Sequence, residues 1–194
     1  MIYIFAANIM SIALISYLMK RKVVDATDII KCLFFVVLAI IASTTITVVV
    51  EFFLGAFNPS SDYIYYGSMV MVEEFSKCII FYFSFKNKRN IFTAILFGLV
   101  FDILETTLQI EPTFNNILQS NLHFFLHSAF LSVFQVTLEK MGGSKIAIVS
   151  GLLLAGLLHA ANNIIMEIPQ LNQYYNWYFA FVFVIGITIL EKKN

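Results

Sequence analysis

The sequence is short of charge. Only 12% of its 194 residues are Asp, Glu, Lys or Arg, about half of the roughly 25% that a soluble domain carries. With 60% hydrophobic residues, 21 Phe and a mean hydropathy of +0.85, that shortage excludes an ordinary water-soluble domain and points to the bilayer. The formal net charge of zero says nothing about nucleic acid, because the charges are segregated along the chain; the expected partner is the lipid bilayer and not nucleic acid. Cysteine is scarce: Cys32 and Cys78 both lie in apolar runs, so no disulfide framework is implied. The three prolines, Pro59, Pro112 and Pro169, all fall between apolar runs, where proline belongs. No basic residue precedes the first run, Met1 to Met19, whereas Lys20, Arg21 and Lys22 follow it. This reverses the charge order of a secretory leader, and no A-x-A site is present, so the first run is expected to be a span with its N-terminus outside. Several catalytic motifs are missing too. There is no H-E-x-x-H of the site-2-type metalloproteases, no G-x-S-G serine motif and no aspartate pair of the aspartyl intramembrane type. Cys78 has no histidine beside it in sequence, which argues against a thiol mechanism.

What is present is a series of apolar runs. About 20 apolar residues in helix cross a hydrocarbon core, and seven segments approach that length: 2–19, 33–57, 63–85, 91–110, 117–138, 146–167 and 173–190. The expected fold is an all-α polytopic bundle of about seven spans. With no internal repeat, low-complexity tract or linker, it is one domain over 1–194. Segments 20–32, 86–90, 139–145 and 191–194 hold eleven of the twelve Lys and Arg residues, and the loops at 58–62, 111–116 and 168–172 hold none. The positive-inside rule then places the N-terminus outside and the C-terminus in the cytoplasm.

Ionisable residues near a bilayer centre cost about 2.5–3.5 kcal/mol each on insertion scales. Spans one, two and seven carry only Glu51, near the outer end of its helix. Spans three to six carry Glu73, Glu74, Lys77, Asp102, Glu105, His123, His127 and His159, including every histidine of the chain. Glu73, Glu105, His127 and His159 occupy one layer, from the midplane to the outer half, given the helical rise and the direction of each span. Glu73 and Lys77 are i,i+4, as are Phe101 and Glu105, His123 and His127, and His159 and Asn163, so each pair shares a helix face. Four carboxylates sharing such a zone with one lysine cannot all be ionised. At least one is therefore expected to take or give a proton near neutral pH, as general base catalysis needs.

Read in order, Glu73-Glu74-Phe75-Ser76-Lys77, Phe101-x-x-x-Glu105, His127 and His159-x-x-x-Asn163 resemble the PrsW family of intramembrane proteases, within the CAAX-processing and bacteriocin-processing group. That pattern is E-E-x-x-K, F-x-x-x-E, a lone His, and H-x-x-x-D or H-x-x-x-N, one motif per helix; here it lies in residues 70–165, inside a four-span core at 63–167. Gly98, His127-Ser-Ala-Phe and Leu158-His159-Ala160 also look like family sequence. Glu105, where the CAAX branch has histidine, favours the PrsW side; Thr106 departs from a frequent asparagine, and His123 is an alternative to His127 one turn away. The resemblance implies a multi-pass hydrolase of a bacterial plasma membrane engaged in regulated proteolysis, acting on membrane-anchored proteins or peptides near the extracytoplasmic face. Glu73, with Glu74 beside it, would activate water; His127 would assist proton transfer; His159 and Asn163 would stabilise the oxyanion. Lys77 would fix the carboxylate pair, and Glu105 would orient a histidine or share the water. No cofactor is required on this scheme, although zinc on Glu73, Glu105, His127 and His159 is the alternative, since these are acceptable zinc ligands.

Plainer explanations exist for each feature. Glu73, Glu74 and Lys77 would serve as a packing ion pair, although that leaves Glu105 unexplained. His159 and Asn163 would serve as interhelical hydrogen-bonding groups. His123, beside Phe124 and Phe125, fits a structural role, Asp102 stands between a supporting role and none, and Phe81, Tyr82, Phe83 and Phe85 read as packing. A different class, a small non-enzymatic transporter or substrate-binding subunit, should show inverted repeats or Gly/Pro-broken helices; spans three to six show neither.

Overall fold

A computed structural model describes residues 8–57, 62–109, 114–167, Tyr178, Phe181 and Val182. The described residues form six α-helices and no strand: α1 (Ile9–Lys20), α2 (Ala26–Phe57), α3 (Asp62–Ser84), α4 (Ile91–Gln109), α5 (Phe114–Lys140) and α6 (Lys145–Glu167). They coincide with the first six apolar runs to within a few residues at most ends. The exceptions are α1, described only from Ile9, and α2, which starts seven residues before its expected Leu33. Segment 173–190 and the three prolines lie outside the described residues, apart from Tyr178, Phe181 and Val182.

Three stretches, Ala26–Phe53, Ile91–Leu108 and Lys145–Ile165, are long and apolar enough to cross a membrane, which indicates a membrane protein. α2 is apolar over most of its surface, with Phe34 61% and Phe52 76% exposed. A helix of that kind suits hydrocarbon rather than water. α3 and α5 are equally long but less apolar, because Glu73, Glu74 and Lys77 interrupt the one and Asn115, Asn116, Gln119, Asn121 and two histidines the other.

The helix starts have local causes. Asp25 and Asp28 form a reciprocal cap on α2, each carboxylate accepting from the other's backbone N–H at 2.9–3.0 Å. Asn90 Oδ1 accepts from the N–H groups of Phe92 and Thr93, while Thr93 Oγ1 accepts from Asn90 N–H. Ser144 caps α6 through Ala147 N–H. Gly142 and Gly143, both at φ +66°, close α5, with Gly143 N–H returning to Leu138 C=O. Lys88 donates to Asp25 and Asp28, which puts the basic loops at 21–25 and 85–90 at the same end of the bundle.

Packing runs in a ring: α2 on α3, α3 on α6, α6 on α5, α5 on α4, and α4 back on α2, with α1 outside against α4 and α5. Two glycines let the backbones close in. A Cβ on Gly98 of α4 would meet the Ser128 Cα and N of α5 at 2.6 Å, and one on Gly156 of α6 would meet Met71 Sδ of α3 at 2.5 Å. Toward the basic-loop end the interior is filled by Phe81, Phe85, Phe97, Phe130 and Phe134, all buried. Phe81 stacks on Phe85 at 5.6 Å and meets Phe97 edge-on at 5.7 Å. On the opposite side of this aromatic layer the ring holds charge.

Candidate active site

The i,i+4 spacing of Glu73 and Lys77, and the i,i+3 spacing of Glu74 and Lys77, turn all three side chains of α3 toward the ring interior. Lys77 is fully buried. Its Nζ lies 2.8 Å from Glu73 Oε1, 2.8 Å from Glu74 Oε2 and 2.6 Å from His127 Nδ1. An ammonium has three N–H donors and no acceptor, so these three atoms match its whole capacity. The Phe101 ring of α4 closes the remaining side, 4.4 Å from Nζ to its centroid.

This arrangement fixes the histidine tautomers. Because Lys77 can only donate, His127 Nδ1 accepts, and the neutral ring carries its proton on Nε2. That nitrogen lies 2.9 Å from Glu105 Oε2. His159 on α6 presents Nδ1 to Glu74 Oε2 at 2.9 Å and to Glu73 Oε1 at 3.9 Å. Its ring stacks on Phe130 and meets His127 edge-on, with centroids 5.1 and 5.3 Å apart. Gly98 and Gly156 bring α5 and α6 near enough for these contacts, and Ser128 Oγ adds a bond to Ile95 C=O beside Gly98.

The two adjacent glutamates differ sharply. The Glu74 side chain is 0% exposed; Oε2 receives Lys77 and His159, and Oε1 receives the Cys78 thiol at 3.8 Å. No room is left for water. Glu73 is 25% exposed and borders a cavity of about 310 Å³ together with Glu105 and Asn163. Its Oε2 has no partner among the described residues, while Oε1 is held by Lys77. Asn162, fully buried, donates from Nδ2 to Asn163 Oδ1 at 3.0 Å, which leaves the Asn163 amide N–H groups to offer.

The structure therefore brings Glu73, Glu74, Lys77, Phe101, Glu105, His127, His159 and Asn163 into one cluster. Within it, Glu73, Phe101, Glu105 and Asn163 reach the cavity, and the two histidines stand behind them, all but buried. Asp102 faces away and accepts from Ser11 Oγ of α1 at 2.9 Å. The His123 side chain lies outside the described residues. Three contributions had not been singled out in the sequence: Asn162, the Ser11 partner of Asp102, and the cavity wall from α2, where Ser43, Thr44 and Thr47 face the carboxylates. The run Ser43-Thr44-Thr45-Ile46-Thr47 in an otherwise aliphatic helix was the available signal for that wall.

A metal can be weighed from the donor set. Glu73, Glu74, His127 and His159 offer ligand atoms all within 4.8 Å of one another, chemically suited to zinc. Glu74, rather than Glu105, completes this set. Lys77 Nζ, however, already contacts three of the four residues, so its ammonium stands where a cation would bind. A divalent ion does not fit these donors while Lys77 keeps its place.

The chain matches no protein-family profile, no curated protein and no solved structure.

Proposed function

We propose that this chain is a glutamate-type intramembrane peptidase, similar in its motif order to the PrsW family, hydrolysing peptide bonds of membrane-anchored proteins or peptides. The observation that carries the reading is the asymmetry of the glutamate pair: one carboxylate is saturated and sealed, the other is held by the same lysine with an oxygen open to a cavity. On this reading Glu73 Oε2 takes a proton from water as its oxygen attacks the scissile carbonyl carbon. The Asn163 amide N–H groups stabilise the resulting oxyanion. Glu73 then returns the proton to the amide nitrogen as the C–N bond breaks, giving a free carboxylate and a free amine. Glu105 shares the water and, through His127, ties it to the lysine hub. Glu74 does not meet substrate; it positions Lys77 and His159.

The same reading includes seven spans, with residues 173–190 as the seventh, an outside N-terminus and a cytoplasmic C-terminus in a bacterial plasma membrane. The charge distribution of the loops supports it, and so does the placement of two basic loops at one end of the bundle.

The test is cleavage of a panel of single-pass membrane proteins by purified protein in detergent. Glu73→Gln should lower the rate by about 10²–10⁴-fold and Asn163→Ala by about 10²–10³-fold, with chelators having no effect. Chelator inhibition reversed by zinc would move the carboxylates and histidines into a metal site. A wild-type rate unchanged in Glu73→Gln would refute the assignment of the base.

A further inference from the structure

The wall of α2 opposite Glu73 carries two hydroxyls that do not return to their own helix. Elsewhere a helical Ser or Thr commonly returns its hydrogen to the preceding turn: Ser16 to Ile12 C=O, Thr45 to Ile41, Ser76 to Val72, Ser84 to Ile80, Thr107 to Ile103, Ser132 to Ser128 and Thr137 to Val133, all at 2.6–2.9 Å. In hydrocarbon this is the expected behaviour, because no water competes for the group. Thr44 and Thr47 do not do so. Neither hydroxyl has a hydrogen-bond partner among the described residues, and both residues line the cavity that holds Glu73, Glu105 and Asn163. They are i,i+3 on α2 and so share one face.

A peptide bond can be attacked by water only where the substrate helix is opened. Opening it within the bilayer strips several backbone N–H and C=O groups of their partners, a heavy cost in hydrocarbon. A cleft that accepts such a segment must supply substitutes. We propose that Thr44 and Thr47 are substrate-positioning residues, whose hydroxyls pair with the unwound backbone of a transmembrane segment and hold its scissile carbonyl toward Glu73. A hydroxyl both donates and accepts, so the pair can serve N–H and C=O alike without regard to side-chain identity. The substrate class that follows is a membrane span already weakened by helix-breaking residues, selected by its ease of unwinding rather than by a side-chain motif.

This inference rests on the peptidase reading, and one experiment separates the two. Wild type and variants are reconstituted in liposomes with synthetic Leu/Ala spans, some uninterrupted and some carrying a Gly-Pro pair at stepped depths. Wild type should cut only interrupted spans. Thr44→Val and Thr47→Val should each raise KM by about three- to tenfold, the worth of one hydrogen bond, with kcat nearly unchanged. Thr→Ser at either position should restore KM, because the hydroxyl returns. Thr45→Val, on the same helix but bonded back to its own turn, should behave as wild type. If Thr44→Val and Thr47→Val both keep the wild-type KM while Glu73→Gln is inactive, the α2 proposal is wrong and the peptidase reading stands. If wild type cuts none of the spans, both fall.

Discussion

Lys77 is the residue on which the others depend. Three acceptors surround three donors, so removing the ammonium strands the sealed Glu74 and the part-exposed Glu73 at once, and breaking a buried ion pair from one side costs about 3–5 kcal/mol. Lys77→Met should therefore lower the thermal midpoint in detergent strongly. Pairing it with Glu74→Gln should recover part of the loss, a non-additivity that a double-mutant cycle measures. Lys77→Arg should not substitute for lysine: a planar guanidinium cannot aim three bonds at three convergent acceptors, although it keeps the charge. Equal midpoints for Lys77→Arg and wild type would show that charge alone matters here. Glu74→Gln separates support from chemistry. The amide still accepts from Lys77 but loses a full charge beside it, so stability should fall while a measurable rate persists, in contrast to Glu73→Gln.

Between helices, the glycines set the geometry that the polar side chains exploit. Gly98→Ala would press a methyl to within 2.6 Å of the α5 backbone, which cannot move aside alone. The helices must separate, and overpacking of this kind typically costs about 1–3 kcal/mol; the contact between His127 and Glu105 would loosen with it. Gly156→Ala meets instead the sulfur of Met71, the end of a flexible side chain, so its penalty should be the smaller. Thermal melts of the two variants, followed by tryptic accessibility of the loops, check the ranking. This is also the scale at which the sequence stops being readable. Glu73 and Lys77, i,i+4 on one helix, are a pair that spacing alone brings together, and the common depth of Glu105, His127 and His159 made their convergence plausible. Which helix neighbours which is another matter. Nothing in the spacing of Asp102 distinguishes it from Glu105, yet three residues of helical rotation turn one toward Ser11 of α1 and the other toward His127. The contribution of α2 was hidden for the same reason, since threonines in an apolar helix satisfy themselves locally unless a neighbour's placement gives them a cavity to face.

For the molecule as a whole, Lys88 links two loops that are distant in sequence. Its bond to Asp28, then that to Asp25, raises its ammonium above the ordinary lysine value. The Lys88 bond, reinforced by the Asp28 backbone N–H, lowers the Asp25 carboxyl below its ordinary value. The signs bracket a pH window. The Asp25 contribution is fully present above about pH 3.9 and is lost as pH falls through the lowered folded value; the Lys88 contribution is present below about pH 10.4 and is lost as pH rises through the raised one. Lys88→Ala should thus cause a small drop in midpoint that is constant from about pH 5 to 9 and vanishes toward both extremes. The drop should shrink in high salt, because Lys88 and Asp25 are half-exposed, 48% and 59%. A drop that persists unchanged to either extreme would show that the ion pair is not its source. The aromatic layer beneath the charged cluster has a consequence of another kind. On the peptidase reading and in the orientation proposed, the cavity would handle protons inside a membrane that carries a proton gradient. A hydrated pocket joined to water on both faces would be an electrical leak. On that reading the buried layer of Phe81, Phe85, Phe97, Phe130 and Phe134 between the cluster and the basic-loop end would be the insulator that lets acid–base chemistry run in the bilayer without discharging it.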